Sequence, residues 1–232
     1  RNTHTCTDKK LYNYFAPSEE RPLGYYQIDG SFAPIKAKYI CLAGTDWPYQ
    51  NANGEYWVEV AELQVYETDK EPPAPTQTVL PEGENMMLRA EYLSAINLDS
   101  EKYTNNGDGT WSNPAKLIDG KWASNPTYTM EGLNTRILDA SVSYNANGIQ
   151  SNSGAYKWMA TYKLDQRHFL NGFRLITHDL TPFARGTDPV QWLQRDFDIL
   201  ISDTGEDGSW QVLYSAENLH TEDDPGAYVY HP

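Results

Sequence analysis

Positive charge is scarce in this chain of 232 residues: 18 Lys and Arg stand against 32 Asp and Glu, for a formal net charge of -14. That balance repels a phosphate backbone and argues against nucleic acid as a partner. No apolar run approaches the roughly 20 residues that a membrane-spanning helix needs, so the chain is not expected to span a membrane. Cysteine is almost absent. Cys6 and Cys41 are the 2 present; their spacing fits no zinc pattern, and they either form one disulfide or remain two buried thiols. Catalytic motifs are missing too: no His-Glu-x-x-His, no Gly-x-Ser-x-Gly and no Gly-Lys-Ser/Thr phosphate loop. The 5 His are scattered at 4, 168, 178, 220 and 231. Asp196 and Asp198 share a strand parity, but glycoside cleavage needs carboxylates across a cleft, so they read as a solvated face. No enzyme is expected. No Asn-x-Ser/Thr sequon occurs, which leans away from a eukaryotic secretory origin, and the opening on Arg1 without a signal peptide reads as a mature or excised piece.

What is abundant is aromatic. With 17 Tyr, 7 Trp and 6 Phe, aromatics reach 13% of residues in a chain whose hydrophobic fraction is only 39%, a combination suited to twisted sheets and sugar-stacking surfaces. Period-2 patterning recurs. Lys36 to Leu42 and Trp57 to Tyr66 read as strands, as does the alternation Trp158, Ala160, Tyr162, Leu164. Phe173 and Leu175 follow an Asn171-Gly172 turn, and Phe197, Ile199, Ile201 precede an acidic turn leading to Trp210. Trp158 and Trp210 read as core. With turn residues between strands and no helical stripe, the expectation is an all-β sandwich or jelly roll. In Trp57 to Tyr66 the parity slips: Val58 and Val60 fall on one side, Leu63 and Val65 on the other. Either a bulge near Ala61-Glu62 restores the phase, or Val58 and Val60 face a second layer.

Residues 68–87, carrying four prolines, read as a linker between 1–67 and 88–232. A weak echo relates Leu11 to Tyr26 and Leu213 to Tyr228, as though the chain began inside one repeat and stopped inside the next. The second unit turns sharply at Lys116-Leu117-Ile118-Asp119-Gly120-Lys121-Trp122. Asn113 is placed to cap, Pro114 suits a first helical position, and Gly120 can end the turn. Asp119 at that turn is either a plain Asp-Gly turn residue or a seat for a hard cation such as calcium.

The order and spacing of these segments resemble the discoidin family, also called coagulation factor 5/8 type C domains, and within it carbohydrate-binding modules of family 32. The resemblance rests on Ala115 to Gly120 with Trp122, Trp158 to Leu164, Phe173 to Ile176 and Phe197 to Ser202 with Trp210. Ala37 to Leu42 and Val60 to Tyr66 look like the last two strands of such a unit. It implies a jelly-roll β-sandwich over 88–232 lacking its last strands, preceded by the C-terminal part of a discoidin-like unit over 1–67. That first segment is either a separate truncated repeat or the completion of the second unit.

The resemblance also implies a structural calcium held by an Asp of the early loop, here Asp119, and a Glu near the domain's C-terminus, here Glu62. It implies glycan contacts from two loops: Trp122, Asn125 and Tyr128 in one, and His178, Asp179, Phe183, Arg185 and Trp192 in the other. His178 and Arg185 resemble the polar pair that family members use. The insertion at 131–156 either covers or extends that site, and Cys41 stands where an Arg is common. The function implied is non-catalytic glycan binding by a secreted or surface-attached bacterial protein, outer-membrane attachment included. The alternatives are a protein or phospholipid adhesion domain of the same fold, or the accessory region of a glycoside hydrolase with further domains.

Overall fold

Two long strands form the spine, and each owes its length to irregularities that the partner absorbs. The structure is a computed structural model describing residues 13–15, 25–46, 49–50, 53–68, 83–99, 114–121, 132–178, 194–217 and 219. Among these the strands in chain order are β1 (Asn13–Phe15), β2 (Tyr25–Gly44), β3 (Tyr49–Gln50), β4 (Tyr56–Val60), β5 (Glu62–Glu67), β6 (Glu91–Ile96), β7 (Leu133–Arg136), β8 (Trp158–His178), β9 (Phe197–Ser202) and β10 (Gln211–Ala216), with short 3-10 turns at Met86–Arg89 and Pro114–Ile118. Strands β2 and β8 pair antiparallel from Tyr25 opposite His178 to Gly44 opposite Trp158. Register shifts fall between Ser31 and Ile35 and between Ala37 and Tyr39. Pro34, which has no N–H to give a ladder, sits in the first of these irregular stretches.

The Asn171-Gly172 turn expected from sequence is not a turn. β8 runs straight through it, with Gly172 opposite Ser31 on one side and Tyr66 on the other. An Asn-Gly pair makes a hairpin only where its flanking segments pair with each other; here both flanks find partners in β2 and β5 instead. Phe173 supplies part of the reason. It stands directly opposite Gly30, and a Cβ at Gly30 would lie 2.0 Å from the Phe173 ring.

The large sheet has the order β10-β9-β2-β8-β5, with β1 also on β2 and β6 also on β8. Strands from both sides of the proline-rich stretch therefore lie side by side: β2 between β8 and β9, and β5 beside β8. The small sheet is β3-β4-β7. Its Val58, Val60 and Leu133 join Ile28, Ile40, Leu42, Trp158, Tyr162, Phe173 and Leu175 of the large sheet in one core, which makes an all-β sandwich. Met86 and Met87, which composition assigns to the linker, are fully buried in that core. Trp158 is fully buried, whereas Trp210 is only partly so, edge-on to Tyr39 at 6.5 Å.

The large sheet is covered on its second face as well. Tyr144, Ala146, Ala155 and Tyr156 of the stretch before β8 pack with Cys41, Ala43, Met159 and Leu200, and every residue of β9 is buried. Asp198, expected on a solvated face, is 5% exposed and accepts hydrogen bonds from the Tyr156 hydroxyl at 2.9 Å and the Ser215 hydroxyl at 2.6 Å. Burial pushes the Cys41 thiol up to about 12; it is a free, buried cysteine, and Cys6 lies outside the described residues.

Candidate cation-binding site

The parity slip in Trp57 to Tyr66 marks a corner between sheets. β4 ends at Val60 in the small sheet, β5 begins at Glu62 in the large one, and Ala61 alone connects them. The Ala61 N–H donates to the Ile176 carbonyl at 2.7 Å, seating the corner on β8. Crossing between layers restarts the alternation. Val58, Val60, Leu63 and Val65 all enter the shared core, and Glu62, the first residue past the corner, pairs with Ile176.

Glu62 is completely buried, and neither of its carboxylate oxygens has a hydrogen-bond partner. A charge in that position is costly. Burial and then the neighbouring Asp119 carboxylate push the Glu62 carboxyl up to about 9. The Gly120 N–H points toward it and acts in the opposite sense, without closing a hydrogen bond of ordinary geometry.

Asp119 arrives by a different route. The Pro114–Ile118 turn buries Leu117 and Ile118 in the core, and the Tyr162 hydroxyl fastens it by donating to the Pro114 carbonyl at 2.7 Å. Gly120 then takes φ 76, a left-handed conformation that glycine adopts without strain. This is the tight turn expected from the sequence, although Asn113 lies outside the described residues. One Asp119 oxygen accepts from the Lys121 N–H at 2.9 Å; the other lies 3.5 Å from the Lys116 ammonium.

Two carboxylates from sequence-distant segments thus stand near one another, one of them buried without a partner. The donor set is all oxygen and suits a hard cation. Among the described residues no three His, Cys, Asp or Glu side chains come together to hold a metal, so a cation here would take Glu62 and Asp119 as side-chain ligands and draw its remaining oxygens from main-chain carbonyls and water.

Of the residues expected to touch glycan, Trp122, Tyr128, Phe183, Arg185 and Trp192 lie outside the described residues, as do Asn125 and Asp179. His178 is placed by its backbone, closing β8 opposite Tyr25. One buried carboxylate escaped the sequence reading. Glu59, between Val58 and Val60, is 2% exposed with no partner for either oxygen, and burial holds its carboxyl well above the usual range. In sequence it looks like the outward residue of an alternating strand; only its complete burial distinguishes it.

The arrangement defines a class, an all-β sandwich with a buried carboxylate at the corner between its sheets. The chain matches no family profile, no curated protein and no solved structure.

Proposed function

We propose that this chain is a non-catalytic glycan-binding module with a jelly-roll sandwich of discoidin type, and that a structural calcium at Glu62 and Asp119 steadies the end of the sandwich that binds. The observation that carries the reading is Glu62: a fully buried carboxylate with two unpartnered oxygens, beside a second carboxylate at a tight turn. Calcium would supply the charge that this pair lacks. The glycan contacts fall to Trp122 and Tyr128 after that turn and to His178, Phe183, Arg185 and Trp192 before β9. Aromatic faces there would stack on sugar C–H surfaces, and His178 and Arg185 would meet hydroxyls. The setting is a secreted or cell-surface bacterial protein.

Titration of the purified chain against a glycan panel, with and without calcium, tests this. Binding at up to millimolar concentration that disappears in Arg185→Ala, with folding unchanged, is the expected result. No sugar binding in either condition would overturn the glycan reading and leave a protein or phospholipid adhesion domain of the same fold, or a structural accessory to a catalytic domain.

A further inference from the structure

His168 of β8 is buried, its side chain 1% exposed, with a carboxylate at each ring nitrogen: Glu67 Oε1 lies 2.8 Å from Nδ1 and Asp165 Oδ1 lies 2.6 Å from Nε2. Ionised carboxylates only accept hydrogen bonds. Both ring nitrogens must therefore donate, which makes the ring an imidazolium. The carboxylates come from separate places. Glu67 is the last residue of β5, and Asp165 lies in the stretch of β8 where the register against β2 shifts between Ala37 and Tyr39. Glu67 is also where the chain leaves the sheet: the next residue, Thr68, makes one further backbone bond to the Phe169 carbonyl at 2.8 Å, and the proline-rich stretch follows.

We propose that His168 is a pH-sensitive latch that fastens the exit of β5 to β8, closed while its ring carries both protons and released when it loses one. Loss of a proton leaves one ring nitrogen as an acceptor facing a carboxylate oxygen, two acceptors at hydrogen-bond distance, so one carboxylate must move away. Glu67 closes β5, its backbone N–H donating to the Glu84 carbonyl at 3.2 Å, and its side chain is 30% exposed, so its carboxylate can turn out to water. The other charged groups around the latch are Arg89 of the Met86–Arg89 turn, whose charge acts on Asp165 and which pairs with Glu84 at 2.6 Å, and Lys36 of β2, whose ammonium lies over the Phe169 ring. Burial works against the imidazolium, but the hydrogen bonds and charges of Glu67 and Asp165 outweigh it and raise the His168 pKa.

Because the folded chain holds the proton more tightly than the unfolded one, the latch stabilises fully below the unfolded value near 6.5 and is lost as pH rises through the higher folded value. Each tenfold preference for the proton is about 1.4 kcal/mol, or roughly 3–5 °C in Tm for a chain of this size. Thermal unfolding from pH 5.5 to 8.5, NMR titration of the His168 ring and hydrogen exchange at the Thr68 amide, which donates to the Phe169 carbonyl on β8, test the latch. The expected result is a Tm that falls with rising pH more steeply than in His168→Gln, a ring that titrates above 6.5, and protection of the Thr68 amide that drops over the same pH range. A ring that titrates below 6.5, or the same pH slope in His168→Gln, would overturn the proposal. Should His168→Gln fail to fold, the titration and exchange on the native chain decide alone.

Discussion

Glu62→Gln removes a charge while keeping the shape of the side chain, so it separates the two states that the corner can adopt. Without a cation, a carboxyl pushed up from 4.5 to about 9 must take up a proton to fold at neutral pH, a penalty of roughly 3 kcal/mol at pH 7. The sign follows from the raised folded value: stability improves as pH falls toward 4.5. In chelator, Glu62→Gln is expected to be more stable than the native chain by up to about 3 kcal/mol at pH 7, with the gap closing by pH 5. In calcium at roughly 1,000 times its Kd the order should reverse, since that adds about 4.1 kcal/mol to the chain that binds it and the Gln variant loses a charged ligand. Calorimetric unfolding in both buffers checks this; equal calcium stabilisation of both chains would remove Glu62 from the site. Asp119 was legible as the end of a tight turn because Pro114 and Gly120 bracket it and each has one strong local preference. Glu62 was singled out by a break in alternation. Glu59 gave no signal, because burial of the second side of β4 is a tertiary fact that a Val-Glu-Val triplet does not carry.

At the scale of elements, two contacts hold strands in place at single points. Asn85 caps the Met86–Arg89 turn through its side-chain oxygen, which accepts from the Met87 N–H at 3.1 Å and also from the Val65 N–H on β5 at 3.2 Å. One amide therefore starts a turn and satisfies the open edge of a strand. Asn85→Ala should cost about 1–2 kcal/mol, as helix-cap losses do, read from urea unfolding. Gly30→Ala is expected to cost about 1–3 kcal/mol by overpacking, since its new methyl meets the Phe173 ring, itself fixed against Tyr214 with centroids 4.5 Å apart. The m-value should stay unchanged, because the defect is local. Strands with clean alternation, such as Trp158 to Leu164, were readable from sequence. The full lengths of β2 and β8 were not: Pro34 and Asn171-Gly172 are breakers in isolation, and only the pairing of one irregular strand with another makes them tolerable.

For the whole molecule, the segment 132–156 is a cover for the sheet. Its Tyr156 and Tyr144 rest on Cys41, Met159 and Leu200, and this second layer explains why Asp198 is buried rather than solvated. In a Cys6→Ser background, Cys41 is expected to resist thiol reagents at neutral pH until the chain unfolds, since burial both blocks access and disfavours the thiolate. Tyr156→Ala should speed that labelling at least tenfold by uncovering the sheet, followed by reaction with a chromogenic disulfide; unchanged protection would mean that this layer contributes nothing to the shield. The sequence shows that 131–156 is rich in Asn, Ser and Gly but not where the segment lies, because those residues specify turns rather than a destination.

The pairing of β2 with β8 also has a consequence in time. Gly44 and Trp158 are neighbours in the sheet but about 110 residues apart in the chain, and ribosomes add roughly 5–20 residues per second. β2 therefore waits about 6–23 s for its principal partner during synthesis, with Ile40 and Leu42 still lacking the strand they pair with. A sheet whose central ladder joins segments so distant in the chain gains little from early local structure and folds slowly. For this chain the dangerous interval lies before folding rather than after it: the same strand that becomes the middle of the sheet is, until residue 158 emerges, an open template for another copy of itself.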